Sequence, residues 1–129
     1  MTIFSKIVAG EIPCHKVYES EHCLAFLDIN PIARGHVLCI PKQEVDYIFD
    51  LDDEAYTELH LFAKRVARGL KKVCPCVKVA VAVIGVDVPH AHIHLVPLNR
   101  PSDLNFANHI EMTADELADL ANQISTAIQ

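Results

Sequence analysis

The sequence predicts an α+β fold, an antiparallel five-stranded meander sheet with one long helix and short N- and C-terminal helices. Three observations predict it. Short runs rich in β-branched and aromatic residues recur between turn residues, one stretch running to residue 73 carries apolar side chains at helical spacing, and two lesser amphipathic stretches lie near the ends. The 129 residues, 51% hydrophobic and 22% charged, fit a single globular domain over 1–129 with one core.

Each element has its own local reason. Residues 3–9 put Ile3, Phe4, Ile7 and Val8 on one helical face, and Gly10 stops the turn. Residues 16–20 and 23–28 read as a hairpin around Ser20-Glu21-His22, ended by Asn30-Pro31 because proline cannot donate to a ladder. Gly35 opens a strand over 36–40, closed by Pro41-Lys42. The acidic run Asp50-Leu51-Asp52-Asp53-Glu54 suits the positive end of a helix dipole. Ala55, Leu59, Phe62, Ala63, Val66, Ala67, Leu70 and Val73 then form one stripe, and Lys64, Arg65, Arg68, Lys71 and Lys72 a solvated face, until Pro75 ends the helix. Residues 77–84 are nearly all β-branched or small, as in a strand covered on both faces. One helix supplies too little cover for it, so a homodimer that extends the sheet or pairs the helices is expected. Asn99 to His109 reads as a polar loop, and Thr113 with Glu116 forms a capping box before the stripe Leu117, Leu120, Ala121, Ile124 and Ile128.

Bulk properties exclude several classes. A formal net charge of −6 argues against general binding to nucleic acid or anionic lipid. The opening residues lack a signal-peptide pattern and no run approaches the ~18 apolar residues of a membrane span, so a cytoplasmic location is expected. Among five cysteines, Cys74-Pro75-Cys76 fits neither zinc-ribbon nor thioredoxin spacing. The thiols are expected to be reduced and either buried or inert, with Cys14, His15, His22 and Cys23 keeping a small structural zinc site open.

The chemistry concentrates in Pro89-His90-Ala91-His92-Ile93-His94-Leu95-Val96-Pro97. Three histidines alternate with apolar residues, which on a strand places three imidazoles on one face. Along a straight strand His90 and His92 would lie roughly 6.6 Å apart and His90 and His94 roughly 13 Å. Zinc needs each ligand nitrogen at about 2.0–2.1 Å, so such a row suits contacts along a phosphate ester better than one ion. Imidazole is also a nucleophile and proton carrier near neutral pH. His15, His22, His60 and His109 stand outside the pattern and read as surface residues.

These residues resemble the histidine-triad (HIT) family of nucleotide-binding and nucleotidyl-transferring hydrolases, in its nucleoside phosphoramidase-like branch. His90-Ala91-His92-Ile93-His94-Leu95-Val96 matches the family signature of alternating histidine and apolar residues throughout. Ile3-Phe4, residues 23–31 and residues 35–42 match in order and spacing. The resemblance implies that His92 attacks the α-phosphorus of a nucleotide, forming a nucleotidyl-histidine that water resolves. It further implies that the His90 carbonyl holds the other ring nitrogen of His92, that His94 bonds a phosphate oxygen or protonates the leaving group, and that His36 supports His90. Asp28 would accept the ribose hydroxyls, while Ile3, Phe4, Phe26, Leu27 and Ile29 would wall the base pocket. No cofactor is required, and zinc is not favoured.

One segment departs from the family pattern. Relatives carry an Asn-containing, glycine-rich connection and then Gly-Gln-Ser/Thr before the triad, whereas here Ile84-Gly85-Val86-Asp87-Val88-Pro89 retains only Gly85. Fewer phosphate donors weaken the case for long dinucleoside polyphosphates. The expected activity is cleavage of purine nucleoside 5′-phosphoramidates or similar α-phosphate conjugates. The alternatives are dinucleoside polyphosphate hydrolysis, a nucleotide-binding module with weak or no catalysis, and a metalloenzyme using His90 and His92 as ligands.

Overall fold

The structure, a computed structural model, describes residues 1–128. Helix α1 (Ile3–Val8) starts at Thr2, whose side chain accepts the Ser5 amide. Strands β1 (Lys16–Glu19) and β2 (Cys23–Leu27) form the expected hairpin, and β3 (Val37–Pro41) pairs antiparallel with β2. Helix α2 (Asp53–Val73) takes Asp52 as its N-cap, with the carboxylate 2.8 Å from the Ala55 amide; Asp50 falls in the preceding 3₁₀ turn. Strands β4 (Lys78–Ala82) and β5 (Ile93–Leu98) are antiparallel neighbours, and α3 (Ala114–Ala127) carries the Thr113–Glu116 capping box.

All five strands join one antiparallel sheet in the order β1-β2-β3-β5-β4. In one place the order departs from consecutive neighbours. After β3 the chain crosses by α2 to the outer edge, lays down β4, and returns through β5 beside β3. The histidine-bearing strand is therefore flanked on both sides.

The pairing register sorts side chains between two faces. Phe26 pairs with Leu38 and Leu38 with His94, so these three share a face; Leu27, Val37 and Leu95 pair in the same way and share the other. On that second face α2 and α3 bury Leu59, Phe62, Val66, Leu70, Leu117, Leu120 and Ile124 together with Leu27, Val37, Ile93 and Leu95. At roughly 1.5–3 kcal/mol per fully buried large apolar side chain, this cluster holds the domain together. A smaller cluster on the first face joins Phe4 of α1 to Leu24, Phe26, Leu38 and Ile40.

Strand β4 corrects an expectation. It is an edge strand with no buried residue, and Val81, which pairs with Leu95 on the helix side, is 60% exposed, so the β-branched run is fully covered on neither face. No helix among the described residues is long and apolar enough to cross a membrane. All five cysteines are free; Cys23, Cys39 and Cys74 are buried, and burial pushes their thiols upward, which keeps them unreactive.

Candidate active site

The site forms where β5 begins, and it differs from three rings in a row on one strand. His90 and His92 lie before Ile93, the first strand residue, and only His94 belongs to β5. The chain here is held by other groups: the His90 amide bonds the Val88 carbonyl at 2.8 Å and the Ala91 amide bonds the Val45 carbonyl at 2.7 Å. His90 is drawn wholly inside, whereas His92 and His94 stay 6% and 8% exposed, with ring centroids 4.8 Å apart. Of the three triad rings, only those two keep any exposure.

Hydrogen-bond partners fix the proton on each ring, because backbone amides only donate and carbonyls only accept. His90 Nε2 lies 2.8 Å from the Pro41 carbonyl, so it carries the proton and leaves Nδ1 to accept from Thr2 Oγ1 at 3.0 Å. His92 Nδ1 lies 2.7 Å from the His90 carbonyl, so Nδ1 is protonated and the Nε2 lone pair is free. His36 Nδ1 accepts the Ile32 amide at 3.2 Å, which places its proton on Nε2, 2.9 Å from His94 Nδ1. His94 then bears its own proton on Nε2. The result is a nucleophilic lone pair beside an N–H donor on adjacent rings.

Burial sets the charge state. His36 and His94 are each pushed down to about 4, chiefly by desolvation and then by neighbouring histidines, and His92 is lowered mainly by desolvation. The Asp28 charge opposes the shift at His92 and His94. All three rings are neutral at pH 7, as a nucleophilic imidazole must be.

Some expected roles move. His36 supports His94 and not His90, whose ring partners are Thr2 and Pro41. Leu27 is core: strand alternation turns it toward α2, opposite to Phe26 and His94, so it does not face a nucleotide. Phe4 and Phe26 stay on the site face, their centroids 5.5 Å apart, and Phe4 packs edge-on to His92 at 5.1 Å. Ile3 and Ile29 are exposed, at 50% and 75%. Asp28 is half-buried, with one oxygen accepting the Asn30 amide at 2.8 Å and the other 3.7 Å from His36 Nε2. Asp87 is exposed, and the charges bearing on His92 and His94 are those of other histidines and Asp28.

Three contributors escaped the sequence reading. Thr2 is recognisable as a helix cap but not as a partner of His90. The Pro41 carbonyl has no sequence signature. Phe106, the lone aromatic of the polar 99–109 loop, packs against His94 at 4.9 Å and His36 at 6.0 Å. The same loop is tied down by His109, exposed as expected, whose Nδ1 bonds the Asn30 carbonyl at 2.8 Å.

The HIT domain matches residues 9–100. The chain belongs to the HIT family. It is 38% identical over 96 residues to the adenosine 5′-monophosphoramidase HNT1 of Saccharomyces cerevisiae, a match covering 74% of this chain and 61% of that one. The HIT-like protein of Bartonella henselae involved in cell-cycle regulation superposes with a TM-score of 0.87 at 30% identity, covering 98% and 96% of the two chains. A zinc-bound histidine triad family protein of Mycobacterium smegmatis superposes with a TM-score of 0.81 at 27% identity, covering 97% and 91%.

That last relative raises the question of metal here. Among the described residues the candidate donor set is Asp28, His36 and His94, with ligand atoms within 4.8 Å of one another; Cys14, His15, His22 and Cys23 form no such set. The hydrogen bonding fits zinc poorly. A metal on His36 Nε2 would move the ring proton to Nδ1, where it would oppose the Ile32 amide proton.

Proposed function

We propose that this HIT-family chain, working as one domain over 1–129, hydrolyses purine nucleoside 5′-phosphoramidates or similar small α-phosphate conjugates through a nucleotidyl-His92 intermediate. The observation that carries this reading is the 2.7 Å bond from His92 Nδ1 to the His90 carbonyl, which leaves Nε2 unprotonated on a ring adjacent to His94. The resemblance to a yeast adenosine 5′-monophosphoramidase supports the same substrate class.

In this mechanism His92 Nε2 attacks the α-phosphorus, a P–N bond to His92 forms, and the P–N bond to the leaving amine breaks. The amine keeps that electron pair and takes a proton from solvent. His94 is neutral, so its Nε2–H acts as a hydrogen-bond donor to a phosphoryl oxygen as charge builds there. The His90 carbonyl stabilises the positive charge that His92 acquires, much as an acceptor does for a general base in a triad. Water then displaces His92 from phosphorus and releases the nucleoside monophosphate. The free oxygen of Asp28 would take a ribose hydroxyl, with Phe4, Phe26, Ile3 and Ile29 around the base. No step requires a resident metal.

We also propose that the chain is a cytoplasmic homodimer. The exposed edge of β4 and the groove of about 780 Å³ between α2 and the sheet, lined by His60, Ala63, Ala67, Val79 and Val81, support pairing there.

Turnover of an adenosine phosphoramidate compared with a diadenosine polyphosphate, each with and without chelator, tests the reading. Faster, chelator-resistant phosphoramidate cleavage is expected. Preference for the polyphosphate, or loss of activity with chelator, would overturn it. Nucleotide binding without turnover, unchanged in His92→Ala, would leave only a binding module.

A further inference from the structure

Helix α1 reaches the reaction centre through its first cap. Thr2 Oγ1 accepts the Ser5 amide at 3.0 Å and also lies 3.0 Å from His90 Nδ1. The ring proton of His90 is committed to the Pro41 carbonyl, so Nδ1 holds a lone pair that needs a donor. Thr2 has one hydroxyl proton to give. Ser5 Oγ lies 2.9 Å away, but its own proton is engaged by the Glu44 carboxylate, which also accepts the Thr2 amide at 2.8 Å. These two bonds hold the Glu44 carboxyl below the usual carboxylate range. With Ser5 turned to Glu44, the Thr2 proton is left for His90.

We propose that Thr2 is a positioning residue for the reaction, its hydroxyl pinning the buried His90 ring so that the His90 carbonyl stays aligned on His92. The inference rests on the reading of His92 as nucleophile and extends it to a residue outside every matched motif. His90 is fastened at three points: its amide to Val88, Nε2 to Pro41 and Nδ1 to Thr2. Loss of the Thr2 donor leaves a fully buried nitrogen unpaired, and the ring then turns to find a partner. That turn moves the backbone carbonyl that sets the His92 tautomer, and small misplacements of a reacting group are costly in rate.

The two tasks of Thr2 can be separated chemically. Capping α1 needs an acceptor, whereas His90 needs a proton donor. Serine supplies both; aspartate caps well but carries no proton at neutral pH. The experiment compares the full chain with Thr2→Ser and Thr2→Asp, using imidazole ¹⁵N correlation spectra and steady-state kinetics on an adenosine phosphoramidate. Wild type and Thr2→Ser are expected to show His90 protonated on Nε2 alone, with similar kcat. Thr2→Asp is expected to show His90 protonated on Nδ1, and to lose about tenfold in kcat with KM changed by less than about twofold. Wild-type His90 protonated on Nδ1, or a Thr2→Asp variant with unaltered His90 tautomer and kcat, would overturn the proposal. The spectrum of the resting wild-type protein decides the hydrogen bond even if Thr2→Asp fails to fold or no phosphoramidate is turned over.

Discussion

The two faces of the sheet are built from adjacent residues of the same strands and obey different rules. Leu27, Val37 and Leu95 point to α2 and α3 and join the main apolar core, whereas Phe26, Leu38 and His94, one position away, point to α1 and the histidine network. One face is held by packing. The other adds to its small Phe4 cluster a set of hydrogen bonds in which every ring nitrogen of His36, His90, His92 and His94 has an assigned partner except Nε2 of His92 and Nε2 of His94, the two atoms the proposed reaction uses. The contrast teaches that stability and chemistry are divided across one layer of backbone, so single substitutions can separate them.

The largest separation is expected at His92. His92→Ala should lower phosphoramidate turnover on the order of 10⁴-fold or more, a loss far larger than the drop in thermal midpoint from the vacated ring accounts for, read by kinetics and calorimetry on the same sample. Its counterpart is Leu27→Ala. Removing that core side chain should cost about 2–5 kcal/mol in urea unfolding, while kcat at a temperature where the variant is folded stays within about twofold.

Gly35→Ala should blur the division, because Gly35 touches the core and precedes His36. Its φ is +97°, and a Cβ there would sit 2.7 Å from Cys74 Sγ and 2.9 Å from Leu70 Cδ1. Strain and overpacking of roughly 1–3 kcal/mol are expected, together with a several-fold fall in kcat as His36 moves. A stable variant with normal turnover would show that the loop relaxes without disturbing His94.

Acid sharpens the comparison further. His36 and His94 are held near 4 when folded against an unfolded value near 6.5, so the unfolded chain binds more protons between those limits. Their contribution is full above about pH 6.5 and is lost as pH falls toward 4, by at most about 1.4 kcal/mol per histidine for each unit. Leu27 lies in the cluster of apolar side chains between sheet and helices and itself carries no titratable group. Leu27→Ala should therefore lower the whole stability curve against pH without changing its slope, whereas His36→Gln should flatten it. The smallest effect is expected from Phe106→Ala. Uncovering His94 weakens its desolvation and raises its pKa, a shift of less than about one unit expected in an NMR titration of the His94 ring.

Much of this was legible in the residues alone. The stripe of α2, the Thr113–Glu116 box and the Asn30-Pro31 stop are local signals, and each element formed close to where its spacing placed it. The histidine row was legible as chemistry but not as geometry. Alternation places His90, His92 and His94 on one face, yet Pro41 and Thr2, far away in sequence, draw His90 inside and out of the strand. The same limit applies to His36, whose partner depends on β5 lying beside β3, and to the Val-rich β4, whose composition gave no hint that it would end at an edge. Phe106 had no periodic context at all.

The central claim is that His92 Nε2 bonds to phosphorus. Mass spectrometry of protein quenched without acid within seconds of mixing with an adenosine phosphoramidate should show a nucleoside monophosphate joined to the peptide bearing His92, with loss of water, and the adduct should disappear on brief acid treatment. An adduct on another residue, or turnover with no adduct under conditions that trap the intermediate, would contradict it.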